Sequence, residues 1–209
     1  MIHNKEYDQV QIIGIIALVA FFAILVSSCN EKPSNAGGPA AASCSGWTVQ
    51  YSRNISTCIV DQFNFGEPHY LVKRPPGPLY SKTITLRYAV TGTGTLHPTD
   101  GGSPEARVRL YIQRSGDRLT ADEPNKRWWS RDVILVVGQE GTLTQRVISE
   151  GGYWTQVFGQ SSEKFAISFV DAVNNAQNVG FTFGGDFAGH GVVAKDGPVT
   201  FRVVGWEIK

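Results

Sequence analysis

Along residues 82–91, apolar and polar positions alternate: Ile84, Leu86, Tyr88 and Val90 fall on one side, Thr83, Thr85, Arg87 and Ala89 on the other. An extended backbone points successive side chains to opposite faces, so this spacing predicts a β-strand with one face in a core and the other in water. Arg107–Arg114 repeats the pattern, with Val108, Leu110 and Ile112 inward and Arg107, Arg109, Tyr111 and Gln113 outward. Such strands do not stand alone. They need neighbours for their backbone hydrogen bonds and a second apolar layer against the inner face.

Further strands are expected over 47–51, 58–63, 132–137, 142–148, 153–158, 179–183, 191–194 and Val199–Ile208. Short strands parted by glycine, proline and aspartate turns predict a sandwich. Asp196-Gly197 is a strong turn pair, and Pro198 suits the first residue of a strand. In the last strand Phe201 and Val203 are out of phase with Val204, Trp206 and Ile208, which predicts a bulge near Val203. One segment departs from the period of two: Phe165, Ala166, Phe169, Val170 and Val173 keep helical spacing. A short helix is expected there, with Ser161 or Ser162 at its start and Asn174-Asn175 at its end; a strand over 165–170 is the other reading. There is no internal repeat and no rhythm of strand and long helix. The expected fold is all-β, an antiparallel jelly-roll-like β-sandwich with one short helix, immunoglobulin-like topology being the alternative. In its strand-rich layout, its helix and its tryptophan-bearing last strand, the sequence resembles carbohydrate-binding and galactose-binding-like jelly rolls. That resemblance is architectural, and such folds host many functions.

The N-terminal region has a different character. Residues 12–26 contain only isoleucine, leucine, valine, alanine, phenylalanine and one glycine. A helix of roughly 22 Å would result, which matches a signal-peptide core and falls short of a bilayer crossing of about 30 Å. Extended to 10–28, the stretch also suits an uncleaved single-pass anchor. It ends in Leu25-Val26-Ser27-Ser28-Cys29, which resembles the lipobox of bacterial lipoproteins: an aliphatic residue three before the cysteine, small residues, then cysteine. The resemblance implies that Cys29 becomes the lipidated first residue of the mature protein, on the extracytoplasmic face of the envelope. With Asn30 next, it implies the outer membrane where one exists. Residues 30–43, rich in glycine, alanine and proline, read as a flexible linker. The expected organisation is 1–29 signal peptide or anchor, 30–43 linker, and 44–209 a single domain, long enough to bury a core unaided. With Cys29 assigned to lipid, Cys44 and Cys58 remain as a pair. A disulfide between them would close a loop of about fourteen residues and stabilise by roughly 3 kcal/mol; two buried free thiols are the other reading.

After Cys29 the chain carries eighteen Lys and Arg against sixteen Asp and Glu. This balance argues against nucleic acid as a main partner. No HExxH, GxSxG or paired-carboxylate spacing is present, and His69, His97 and His190 are isolated, so no catalytic residue, metal site or cofactor is assigned. Gly184-Gly185-Asp186-Phe187 reads as a turn after the preceding strand, and 91–95, which lacks the lysine of a phosphate loop, reads as another turn.

The surface feature of most interest is Arg127-Trp128-Trp129-Ser130-Arg131. Neighbouring side chains on a strand face opposite ways, so two adjacent tryptophans are not both core if this segment is extended. An outward tryptophan stacks on a sugar face, and Arg127 or Arg131 beside it holds hydroxyls or a carboxylate; the same pair would serve a protein contact. The ordinary alternative is one tryptophan in the core and the other under a loop. A second candidate is the outward face of Arg107, Arg109 and Tyr111, suited to an acidic glycan, a lipid headgroup or a protein, or else a solvated face balanced by Glu105, Asp117 and nearby acids. The leading expectation is a noncatalytic, membrane-anchored envelope or surface protein that binds a glycan or another envelope component. A structural or protein-interaction lipoprotein and a hydrolase assembled from distant loops are the alternatives.

Overall fold

The computed structural model describes residues 43–44, 47–50, 62–64, 70–186 and 188–209. The strands are β1 (Ser43–Cys44), β2 (Trp47–Gln50), β3 (Gln62–Asn64), β4 (Tyr70–Lys73), β5 (Thr83–Gly92), β6 (Thr95–Pro98), β7 (Arg107–Arg114), β8 (Arg127–Ile134), β9 (Glu140–Arg146), β10 (Trp154–Gln156), β11 (Ala176–Gly184), β12 (Val192–Lys195) and β13 (Val199–Ile208), with one helix, α1 (Ala166–Asn174), between β10 and β11. Among the described residues, seven strands form a sheet in the order β1-β2-β4-β11-β7-β8-β10 and four form a second in the order β3-β13-β5-β9, while β12 and β6 pair as a ribbon. All these pairings are antiparallel. Among the described residues the architecture is therefore all-β and multi-sheet with one short α-helix, as expected of a jelly-roll-like sandwich.

The core lies between the two sheets. From the smaller sheet β5 contributes Ile84, Leu86, Tyr88 and Val90, the alternate positions that the sequence marks as apolar, and β13 adds Phe201. The larger sheet answers with Trp47, Leu71, Phe181 and Phe183, and with Val108, Leu110 and Ile112 from β7. Aromatic rings meet across the layer: Phe183 lies 4.9 Å from Phe201 and Trp47 lies 5.1 Å from Trp206, both edge to face. Burying each such side chain is worth about 1.5–3 kcal/mol, so these contacts dominate the stability of the sandwich.

The expected irregularity in the last strand is present. The register of β13 on β5 shifts between Val203 and Gly205. The extra residue, Val204, is exposed, and it returns Trp206 to the level of Leu86 and Ile208 to that of Ile84. Trp206 then reaches Trp47 at 5.1 Å. The turn at Asp196-Gly197 is also formed, both residues having positive φ.

Helix α1 forms where the apolar spacing calls for it, burying Phe169, Ala172 and Val173. Phe169 meets Trp128 edge to face at 5.0 Å and Trp154 at 6.1 Å, which closes one end of the core. Its start differs from expectation. Phe165 precedes the helix without a side-chain cap. Ser162 is instead buried and donates its hydroxyl to the Ser149 carbonyl at 2.9 Å, while Ser161 Oγ accepts from the Lys164 N–H at 3.4 Å. Asn175 ends the helix, its N–H bonded to the Asp171 carbonyl.

Other boundaries moved. β4 was not expected, β6 lies partly where a turn was read, and β8 begins at Arg127 rather than 132. The apolar period in β8 is hidden by a bulge: Arg109 pairs with Asp132 and Tyr111 with Trp129, so Ser130 and Arg131 both stand opposite Leu110. Ser130 Oγ accepts the Leu110 N–H at 2.9 Å, which the interrupted ladder leaves open. The disulfide expectation is corrected. No disulfide is found among the described residues; Cys44 lies in β1 and Cys58 falls outside them. A domain of this length with a two-layer apolar core holds together without a covalent staple. Cys29 and the anchor segment also fall outside the described residues, among which no helix is long and apolar enough to cross a membrane.

Candidate functional site

The alternation that buries Val108, Leu110 and Ile112 sends Arg107, Arg109, Tyr111 and Gln113 to the opposite, outer face of the large sheet. Pairing then determines their neighbours. Tyr111 stands between Trp129 of β8 and Gly180 of β11, and Gly180 stands opposite Val72 of β4. One step along, Arg109 stands between Asp132 and Thr182, with Tyr70 beyond. Tyr70, Val72, Tyr111 and Trp129 form a second apolar cluster, separate from the main core, against which Val157 and Ala188 pack. The rings of Tyr70 and Tyr111 are 4.7 Å apart and those of Tyr111 and Trp129 are 5.4 Å apart. Gly180 is what allows the strip to close. A Cβ there would fall 1.9 Å from the Leu71 carbonyl oxygen, so no side chain can stand between β4 and β7 without moving backbone.

Trp129 is 6% exposed, and its indole Nε1 is buried without a hydrogen-bond acceptor among the described residues. Leaving such a donor unpaired costs about 1–3 kcal/mol.

Charged side chains border the aromatic strip on one side. Arg107 is bound at 2.8 Å to Glu105 and at 2.7 Å to Asp132. The Glu105 hydrogen bond, aided by Asp132, holds its guanidinium above the ordinary arginine range. Arg109 behaves oppositely: burial pushes its pKa down, against the attraction of Asp132. Its Nη2 donates to the Asp186 carbonyl at 3.3 Å and lies 3.8 Å from Asp132 Oδ1, too far for a hydrogen bond. Asp186 belongs to the segment after β11, where Asp100 accepts the Gly185 N–H at 2.9 Å.

On the other side the network is tighter. The Asp117 side chain is fully buried, accepting from Gln113 Nε2 at 2.9 Å and the Leu119 N–H at 3.0 Å, with Arg127 Nε at 3.3 Å. Gln113 in turn accepts from Asn178 Nδ2 at 2.7 Å, and Arg127 also donates to the Thr120 carbonyl.

The seven surface candidates therefore divide. Tyr111, Trp129, Arg109 and Arg107 come together on the outer face. Trp128 does not: as a ligand contact it is corrected, because alternation turns it inward, where it is fully buried against Phe169 and donates Nε1 to the Asn125 carbonyl at 2.8 Å. Arg127 is nearly buried in the Asp117 network. Arg131, displaced by the bulge, is exposed and lies 4.4 Å over the Tyr153 ring. Sequence reasoning missed Tyr70, Thr182 and Asp132. The alternation of Val179, Phe181 and Phe183 would have placed Thr182 outward, whereas Tyr70 lies in a four-residue strand without a legible period.

No family model matches the chain, and no curated protein matches it. Among solved structures, the chain is similar to a xylan-binding module, CBM15, at 18% identity and a TM-score of 0.39, over 78% of this chain and 94% of that one.

Proposed function

We propose that this protein is a noncatalytic, membrane-anchored envelope protein that binds a glycan on the outer face of its large sheet. The Trp129 indole N–H carries the reading: it is a buried donor with no acceptor among the described residues, on a sheet face that also holds Tyr111, Tyr70 and Arg109. A polar ligand that accepts from Nε1 relieves the cost of the unpaired group, and an indole edge beside a guanidinium suits the mixed apolar and hydroxylic surface of a sugar. Anchoring is assigned to lipid on Cys29, with residues 30–43 as the tether.

Affinity electrophoresis of the detergent-solubilised full-length protein through gels containing polysaccharides tests the binding. Retardation is expected, and Trp129→Phe, which keeps a ring but removes the N–H, should weaken it about three- to tenfold. Equal retardation of the variant and the parent would remove Trp129 from the site. Intact-mass analysis tests the anchor: a chain beginning at Cys29 with added acyl mass supports it, and an intact N-terminal segment overturns it.

The rival class, a protein-contact lipoprotein, draws on Ile134 and Val136, both exposed near the end of β8, and on Ile167, exposed on α1. Crosslinking in the native membrane that returns a single reproducible protein, together with no retardation by any polysaccharide, would favour it.

A further inference from the structure

Resting on the glycan reading of the outer face, the geometry points to an uncharged glycan whose adjacent hydroxyls bridge Arg109 and Asp132, to the exclusion of acidic polysaccharides.

The first argument is hydrogen-bond chemistry. Asp132 Oδ2 is taken by Arg107, whereas Oδ1 makes no hydrogen bond among the described residues. Beside it, Arg109 makes a single hydrogen bond, through Nη2 to the Asp186 carbonyl, so its other guanidinium N–H groups are unbonded among the described residues. An open acceptor and open donors thus stand side by side, with 3.8 Å between Oδ1 and Nη2. A hydroxyl both donates and accepts, so neighbouring hydroxyls satisfy the carboxylate and the guanidinium together. Trp129 Nε1 is a further donor for the same ligand. Asp132 stands directly opposite Arg109 and Trp129 directly opposite Tyr111, two positions along β7, within reach of long side chains across adjacent strands. A carboxylate or sulfate on the ligand only accepts. It would leave Asp132 Oδ1 unanswered.

The second argument is charge. Arg107 and Arg109 face Glu105, Asp132, Asp186 and Asp100, an excess of acid around the open end of the site. Arg107 is already held by two carboxylates at hydrogen-bond distance. Arg109 therefore offers its cation within a field that Asp132, Asp186 and Asp100 make negative, and a polyanion approaching it is repelled. This reverses the reading in which outward arginines of β7 attract an acidic ligand. The tertiary structure brings the acids to them from β8 and from the segments around 100–105 and 185–186.

Affinity electrophoresis of the full-length protein with hydroxyethylcellulose and galactomannan as neutral polymers, and with polygalacturonate and alginate as acidic ones, at low and at moderate salt, decides the matter. Retardation by a neutral polymer, insensitive to salt, with none by the acidic polymers is expected. Asp132→Asn, which keeps a side-chain oxygen and removes the charge, should lower neutral retardation about two- to tenfold and raise retention by polygalacturonate relative to it. Retardation by the acidic polymers alone, or by both classes equally, overturns this inference and leaves the glycan reading standing. Retardation by neither class removes the glycan reading and this inference with it.

Discussion

Tyr111 and Trp129 are cross-strand partners on the outer face of the large sheet, with ring centroids 5.4 Å apart and planes inclined by 42°. Both belong to strands whose other faces line the main core, so the sheet is apolar on both sides at this point. Sheets with one solvated face alternate apolar with polar residues. The aromatic strip therefore represents an addition to the needs of the sandwich, and its energetic weight can be separated from that of the core.

Trp129→Ala should destabilise the protein by about 3–5 kcal/mol in urea unfolding, since a nearly buried indole is replaced by a cavity beside Tyr111. Trp129→Phe should cost less than half of this, because the ring survives and an unpaired N–H is removed with it. Equal losses from the two substitutions would contradict the placement of Nε1.

Asp117 is the anchor of the 115–126 segment, with Gln113, Leu119 and Arg127 all directed at its carboxylate. Asp117→Ala should cost about 3–5 kcal/mol, because the nearly buried Arg127 guanidinium loses its counterion. Replacing Arg127 by Met in the same background should recover part of the loss, a double-mutant cycle in urea providing the measurement.

Glu123 has its pKa lowered from 4.5 to about 2 by the Lys126 ammonium at 2.7 Å, followed by the Arg118 backbone N–H at 3.1 Å. A depressed carboxylate pKa means that the folded state binds its proton less readily than the unfolded chain. Its contribution to stability is therefore full above pH 4.5 and is lost as pH falls through the window down to about 2. The difference in thermal midpoint between the parent and Glu123→Gln should shrink across that window, and a difference that grows on acidification would reverse the assignment.

Deletion of Val204 tests the bulge of β13. With the extra residue removed, Val203, Gly205 and Trp206 become consecutive and pair residue for residue with Tyr88, Arg87 and Leu86, so Trp206 and Ile208 stay on the inner face and urea unfolding of the deletion should remain close to that of the parent, whereas deletion of both Val204 and Gly205 should turn Trp206 and Ile208 outward and be strongly destabilising. Near-UV circular dichroism should keep the Trp206 signal from its contact with Trp47 in the single deletion and lose it in the double one.

Several elements are legible in the amino-acid sequence. The alternation in β5 and β7 placed their inner and outer residues correctly, the phase change after Val203 located a bulge, and the helical spacing from Phe165 located α1. Each is a local consequence of backbone period. The short strand β4 and the start of β8 were not legible, because a four-residue run has too few repeats to establish a period and a bulge at Ser130-Arg131 breaks the other. The candidate site followed the same division. That the two tryptophans face opposite ways follows from alternation, whereas the destination of each depends on which face meets α1 and Phe169.

By itself, then, the sequence determined which residues of each long strand share a face, because side-chain direction in an extended chain repeats every second residue whatever the surroundings. Only the tertiary structure decided that Arg109 would find Asp132, Asp186 and Asp100 near it and that Tyr70 would meet Tyr111 across Gly180. Those relationships join residues far apart in the chain through strand order and register, and no local period encodes which strands become neighbours.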